Sequence, residues 1–403
     1  MPDIIFGGFM EKLRDKAPSA DETANEHLRF QLSVLNADKA CRRIGILMLS
    51  VLFAFFAVLC ILFFVTPKKS FSEEENRVLQ GFDSISLSSL TDGSFAKRSA
   101  DVISDQFPAR RFFISVESYL SLAFTGSANN VVLVNGNALA EKNIPDEQKL
   151  ASLEDSVSAI VKLGKRFERD NGIQSSFVAI PLPVTASEKL RSSARYASLG
   201  RALRTVPHIE TGLDGNGTFY YSTDHHLNAD GTYLVYLALC REWDIGDECV
   251  YKKECVSDCF YGTTWSRARL QKYPPDRIYA YRYEGDTEYL IKGDTDHRGF
   301  YFPEYLEKKD KYSYFLGGNY GRIEICSERG EERPRLLIIK DSYANSLVPL
   351  LARHFDITLI DPRYYSGNVL DEAQNADRCL FLFGMSSLMT DVGLVKLSFN
   401  ASK

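Results

Sequence analysis

The chain has 403 residues, of which 45% are hydrophobic, enough to bury a full core with an accessory region attached. Its formal net charge of -5 offers no general attraction to phosphate backbones, and no stretch interleaves basic with aromatic residues. These totals exclude nucleic acid as an expected partner.

Residues 1–43 are polar and mixed in charge, with one short apolar-periodic piece from Ile4 to Leu13, and read as a frayed or weakly helical cytoplasmic tail. From Ile44 to Val65 no charged residue occurs, and at ~1.5 Å per helical residue the run spans roughly 33 Å, the depth of a bilayer core. A secretory signal would lie nearer Met1 and end in small residues, whereas Thr66-Pro67-Lys68-Lys69 follows here. A single transmembrane helix at 44–65 is therefore expected. Arg29, Lys39, Arg42 and Arg43 before it, against Lys68 and Lys69 after it, favour a cytoplasmic N-terminus and an extracytoplasmic remainder.

Residues 66–144 read as a stalk and packing segment, with a helix-like stretch over 94–124 and a hairpin around Asn135-Gly136. From 145 to 403 helices alternate with short apolar strands, the rhythm of an α/β domain whose parallel sheet is covered on both faces. The pattern predicts a helix over 147–170, a strand over 176–180, a helix over 229–243 and a buried strand over 334–340. A helix over 344–354 and strands over 357–360 and 379–383 follow. Residues 251–322, rich in Tyr, Gly and charge, interrupt this rhythm and read as an insertion over one end. Cys249, Cys255 and Cys259 are spaced for a local disulfide in an oxidising compartment. Without a CxxC or a nearby His they do not read as a zinc site.

Two places carry candidate chemistry. In Leu336 to Asn345 an apolar strand runs into Asp341-Ser342 and at once into a predicted helix. A serine there sits at the carboxyl edge of the sheet, with N–H groups of the helix start available to an oxyanion. Asp341 or Ser342 as a simple helix cap explains the same pattern. The second place is Thr223-Asp224-His225-His226-Leu227-Asn228, where one short loop supplies a base and the carboxylate that orients it. A turn-forming Asp224 and solvated histidines are the structural alternative. His297 and His354 compete as bases, and His354 also suits a helix C-terminus. Asp224, His225, His226, Asp294, Asp296 and His297 form a possible metal set, although their spacing matches no metal motif and no metal is expected.

FSEEENR at 71–77, DQFPAR at 105–110, TDHHLNADGTY at 223–233, FYGTT at 260–264, KDSYANS at 340–346 and DPRYY at 361–365 resemble the DHHW protein family. That family is similar to the alginate O-acetylation proteins, which carry SGNH-hydrolase-like domains. The family's name-giving tryptophan is Leu227 here. The resemblance implies a triad with Ser342 as nucleophile, His226 as base and acid, and Asp224 as orienter, His225 taking the variable middle position. It implies O-acetyl transfer to, or removal from, a cell-envelope glycan, with no cofactor. The acetyl donor would be supplied by a partner, a multi-pass membrane acyltransferase. Tyr343, Asn345 and Arg363 lie near strand ends and, with His225, are expected to line the substrate site. The alternative is a non-catalytic glycan-binding or envelope-assembly protein, with Tyr279–Tyr283 and Tyr312–Tyr320 as sugar platforms.

Overall fold

The computed structural model describes residues 20–401, except 73, 74, 76, 136, 137, 205, 214–216, 247–249, 294, 295 and 331. The chain forms two compact units, one of residues 1–70 and 79–110, the other of residues 71–78 and 111–403. This partition differs from a stalk ending at 144. The expected hairpin, β1 (Val131–Val134) paired antiparallel with β2 (Ala138–Glu141), belongs to the larger unit. Its turn residues Gly136 and Asn137 lie outside the described residues.

In the smaller unit, α1 runs unbroken from Ala20 to Val65. The expected frayed tail is helical from Ala20 onward, because no Pro or Gly interrupts 20–44 and helix formers such as Ala, Leu, Arg and Glu recur. Its apolar half is long enough to cross a membrane, and Pro67 follows its end. The predicted helical stretch over 94–124 breaks into α2 (Phe95–Asp105), in this unit, and α3 (Arg110–Thr125), which from Arg111 on belongs to the larger one. Pro108 disfavours helical backbone at Phe107, and Ala109 takes a left-handed φ of 53°. The residues of this break are useful: Gln106 donates to the Lys69 and Gln80 carbonyls at 2.9 Å each, and Asp105 accepts from Gln80 N–H at 2.9 Å.

The larger unit is built on a mixed sheet. Following β1 and β2 come α4 (Glu147–Asn171), β3 (Gln174–Ile180), α5 (Ala194–Leu203) and α6 (Ala229–Trp243). Next are β4 (Lys252–Phe260), the short α7 (Thr263–Ala268), β5 (Asp276–Arg282), β6 (Tyr289–Lys292) and β7 (His297–Arg298). The chain closes with β8 (Arg322–Ser327), β9 (Arg335–Lys340), β10 (Asp356–Ile360), β11 (Arg378–Gly384), α8 (Met385–Thr390) and α9 (Gly393–Asn400). The sheet order is β3-β11-β9-β10-β8-β6-β7. The first four strands are parallel; β8, β6 and β7 continue the sheet antiparallel.

The expected insertion is thus partly sheet: β6, β7 and β8 extend it, while β4 and β5 pair with each other. Alternation splits β9 between two cores, as the pleat requires. Leu336 and Ile338 pack with Val235, Tyr236 and Leu239 of α6, and Leu337 and Ile339 pack with Leu163 and Phe167 of α4 and Leu388 of α8. Both faces being covered, β9 is buried from Leu336 to Lys340 and its carboxyl end is held centrally in the sheet.

The predicted helix over 344–354 is absent as one element. A three-residue 3-10 turn spans Ser342–Ala344, and a separate short helix spans Val348–Leu351. Pro349 accounts for this, since it cannot donate to Asn345 and is tolerated only in a first turn.

Candidate active site

Ser342 begins the 3-10 turn at the end of β9. Asp341 fixes that turn: its carboxylate accepts from Tyr343 N–H at 3.0 Å and from Gly384 N–H, at the end of β11, at 2.8 Å. The cap reading therefore holds for Asp341 and leaves the Ser342 hydroxyl free for other work. It also corrects one expectation, because the Tyr343 N–H is taken by Asp341 and is not available to an oxyanion. Burial raises the Asp341 carboxyl above its ordinary range, against these hydrogen bonds.

The loop before α6 is positioned from several sides. Asn228 caps α6 through Gly231 N–H at 3.0 Å and donates to the Tyr220 carbonyl at 3.2 Å. Asp276, at the start of β5, accepts from Ser222 N–H at 2.9 Å, Thr223 N–H at 2.7 Å and the Thr223 hydroxyl at 2.6 Å. Leu227 is buried in the core cluster with Tyr220 and Val235, so the position of the family tryptophan is a packing position here.

The loop delivers His226 to Ser342, with Nε2 2.8 Å from Oγ, and its Nδ1 lies 2.5 Å from Asp224 Oδ1. Asp224 also accepts from His226 N–H at 3.0 Å, Thr263 N–H at 2.7 Å and the Thr263 hydroxyl at 2.9 Å. The carboxylate is 2% exposed, and burial alone would favour its neutral form. That burial is outweighed by His225, His226 and their hydrogen bonds, and the pKa falls below the ordinary carboxylate range. An ionised Asp224 makes Nδ1 the donor, which leaves Nε2 of the neutral ring to accept the Ser342 proton. Gly262 is required beside it, since a Cβ there would stand 2.2 Å from Asp224 Cβ. The Tyr312 ring stacks on the His226 ring at 3.8 Å and 13°, while its hydroxyl donates to Ser346 Oγ at 3.2 Å.

The structure thus brings Asp224, His226 and Ser342 into one relay. His225 stands beside them on a cavity of about 640 Å³ and faces the Thr263 hydroxyl at 2.9 Å. Asn345 and Arg363 also line this cavity. Asn345 is engaged, accepting from Lys340 Nζ at 2.7 Å and donating to the Gly318 carbonyl at 3.2 Å, and Arg363 pairs with Asp361 at 2.6 Å. Burial pulls the Lys340 ammonium down to about 8, against the pull of Asp361 and Asp341. Tyr343 departs from expectation: it is buried, and its hydroxyl donates to the His225 carbonyl at 2.7 Å, tying the two loops together behind the cavity.

The competing bases stand apart. His297 stacks on Phe302 at 3.7 Å in β7, and His354 bonds the Tyr236 hydroxyl at 2.7 Å. Asp224, His225 and His226 are close enough to share an ion, but Nδ1 and Nε2 of His226 already face Asp224 and Ser342, and His297 does not join them. Asp294 lies outside the described residues. Cys255 and Cys259 carry free thiols, and Cys249 is not described. Sequence reasoning passed over Thr263, Gly262, Asp276 and Tyr312 as site residues. The FYGTT motif signalled the first two; Tyr312 had been grouped with sugar-facing loops, and in the structure it is buried against the histidine.

Residues 211–360, which include all three relay residues, match the DHHW protein family model. A DHHW family protein from Eubacterium siraeum is similar in structure, with 21% identity and a TM-score of 0.53 over 67% of this chain and 96% of that one. Bacillus cereus PatB1 gives 22% identity and a TM-score of 0.54 over 66% of this chain and 99% of its own. The same protein with a sulfonyl adduct gives 20% and 0.53 over 67% and 99%. At these identities the shared property is the fold. No match is found among curated proteins.

Proposed function

On the premise that residues 211–360 form a DHHW-family segment, we propose that this chain is a serine-dependent O-acetyltransferase or acetylesterase acting on a cell-envelope polysaccharide. The observation that carries the reading is the continuous relay from Asp224 through His226 to Ser342, with contacts of 2.5 and 2.8 Å. Ser342 Oγ attacks the carbonyl carbon of an acyl donor as its proton passes to His226 Nε2. The leaving group takes that proton, and an acetyl ester remains on Ser342. An acceptor hydroxyl then gives its proton to Nε2 and attacks the ester carbonyl, releasing the acetylated product and restoring Ser342. A sugar hydroxyl as acceptor makes the enzyme a transferase; water makes it an esterase. The Ser342 N–H, at the start of the 3-10 turn, would serve as a backbone donor to the oxyanion.

The apolar half of α1 supports a membrane anchor, and the charge difference around it supports an extracytoplasmic catalytic unit. In that compartment the acetyl group would come from a partner, a multi-pass membrane acyltransferase. The glycan-binding alternative gains little, because Tyr281 stacks on Tyr233 at 4.8 Å and Tyr283 donates to the Pro349 carbonyl at 3.0 Å, both internal contacts. Purified full chain given p-nitrophenyl acetate should release a burst of nitrophenol stoichiometric with protein. Ser342→Ala should abolish the burst, and an equal burst from that variant would reject the reading.

A further inference from the structure

A helix packed on a water-soluble domain turns its apolar residues to the core and its polar ones to water; α3 does the reverse. Its inward side is serine. Ser115 and Ser118 keep 5% and 0% of their surface exposed. Ser115 Oγ accepts from Gln271 N–H at 3.1 Å, Ser118 Oγ accepts from the Asn129 side-chain amide at 3.3 Å, and Ser121 Oγ donates to the Ser127 carbonyl at 2.9 Å. These bonds, with Leu122 against the cluster of Val131, Leu139 and Trp265, fix the rotation of the helix. Turned outward are Phe112, Val116, Tyr119, Leu120 and Phe124, with 58%, 39%, 40%, 52% and 85% of their surface exposed. At ~100° per residue the five share an arc of about 140°, with Glu117 at its margin and no charged residue within it.

Single exposed apolar residues are ordinary, but a contiguous face of this kind marks a surface that something apolar covers. Three features favour a lipid surface. The face runs only from residue 112 to 124, about 18 Å of helix, which is too short to cross a bilayer and suited to lying along it. With roughly 200 Å² for a whole aromatic side chain it offers on the order of 500 Å², below the ~800 Å² that each partner gives to a stable protein interface. Fewer than about fifty residues join Val65, where the apolar span of α1 ends, to Phe112, so a bilayer that holds the span stays within reach and a weak affinity suffices.

We propose that α3 is an interfacial helix whose 112–124 face lies in the surface of the bilayer that anchors the chain. The Phe and Leu side chains enter the acyl region and the Tyr119 hydroxyl stays at the headgroups. This rests on the anchor reading above and not on the chemistry of Ser342. The chain has two tryptophans, Trp243 and Trp265, both buried, so a third placed on α3 can be followed by its emission. Full-length Leu120→Trp, Phe124→Trp and, within the span, Val58→Trp are reconstituted in phosphatidylcholine–phosphatidylglycerol nanodiscs with and without bromine on the acyl chains. Brominated lipid should remove at least about half of the added emission at all three positions, and acrylamide in the water should remove little of it. Phe112→Glu/Leu120→Glu, added to the Phe124→Trp protein, should restore the emission and leave Tm in detergent unchanged, because both side chains are already exposed. Quenching at 58 but not at 120 and 124 overturns the proposal while the anchor stands. That holds whether acrylamide then reaches α3, as for a face left in water, or does not, as for one covered by a second copy or another protein. No quenching at 58 overturns the anchor reading and the proposal together.

Discussion

Tyr312 is the residue whose role follows most directly from geometry. Its ring covers one face of His226 at 3.8 Å, and its hydroxyl is bonded to Ser346, so one side chain braces the imidazole against the turn that carries Ser342. Aromatic faces also stabilise a passing imidazolium by about 1 kcal/mol. Tyr312→Leu should lower kcat/KM for an acetyl ester by roughly tenfold, and Tyr312→Phe, which keeps the ring, should lose much less. Gly262→Ala tests the orienting carboxylate, because its Cβ would meet Asp224 at 2.2 Å. It should reduce kcat by at least about a hundredfold while KM changes little, as expected when the orienter of a relay is displaced. His225 adds a stability signature. Burial, and then the neighbouring His226, lower its pKa from 6.5 to about 4, with Asp224 opposing. Between those values the unfolded chain binds a proton that the folded chain does not, so stability rises with pH across that window and is lost on acidification. His225→Gln should flatten this part of the Tm-against-pH curve. The ring keeps 36% of its surface exposed, so screening makes the amplitude modest.

At the scale of elements, what the sequence made legible was what burial on both faces writes into a strand. The segments at 176–180, 334–340, 357–360 and 379–383 were visible because continuous apolar runs have few other uses. α6 was legible to the residue, since Asn228 is a strong cap and Ala229–Trp243 follows with no breaker. The antiparallel strands β6, β7 and β8 were not, because β6 and β7 have only four and two residues and β8 interleaves its buried Ile323 and Ile325 with Arg322, Glu324 and Cys326 instead of running apolar throughout. The helix after Ser342 was overread, since the apolar run 347–351 conceals the stop imposed by Pro349. Asn228 links element to site: it caps α6 and also holds the Tyr220 carbonyl at the base of the Asp224–His226 loop. Asn228→Ala should cost about 1 to 2 kcal/mol in urea unfolding and should also depress kcat, whereas a cap remote from the loop would affect stability alone.

For the molecule as a whole, the relay was legible as letters but not as geometry. Asp224 and His226 share a loop, and their pairing follows from spacing. Their meeting with Ser342 requires β9 and the loop before α6 to end beside each other, which only the three-dimensional arrangement supplies. The supporting set of Thr263, Asp276 and Tyr312 comes from the region read as an insertion, so that region completes the site. The anchor reading yields an orientation test. Cys255 and Cys259 carry exposed thiols, so a membrane-impermeant maleimide added to intact cells should label them if the larger unit is extracytoplasmic. Labelling only after the cells are lysed would place that unit inside. The most direct test of the whole account is the mass of the purified full chain after treatment with a phenylmethanesulfonyl fluoride. One sulfonyl group is expected, mapped to the Ser342 peptide, absent in Ser342→Ala and at least about a thousandfold slower to form in His226→Ala. Modification of Ser342→Ala at the wild-type rate, or a rate at Ser342 indifferent to loss of His226, would contradict it.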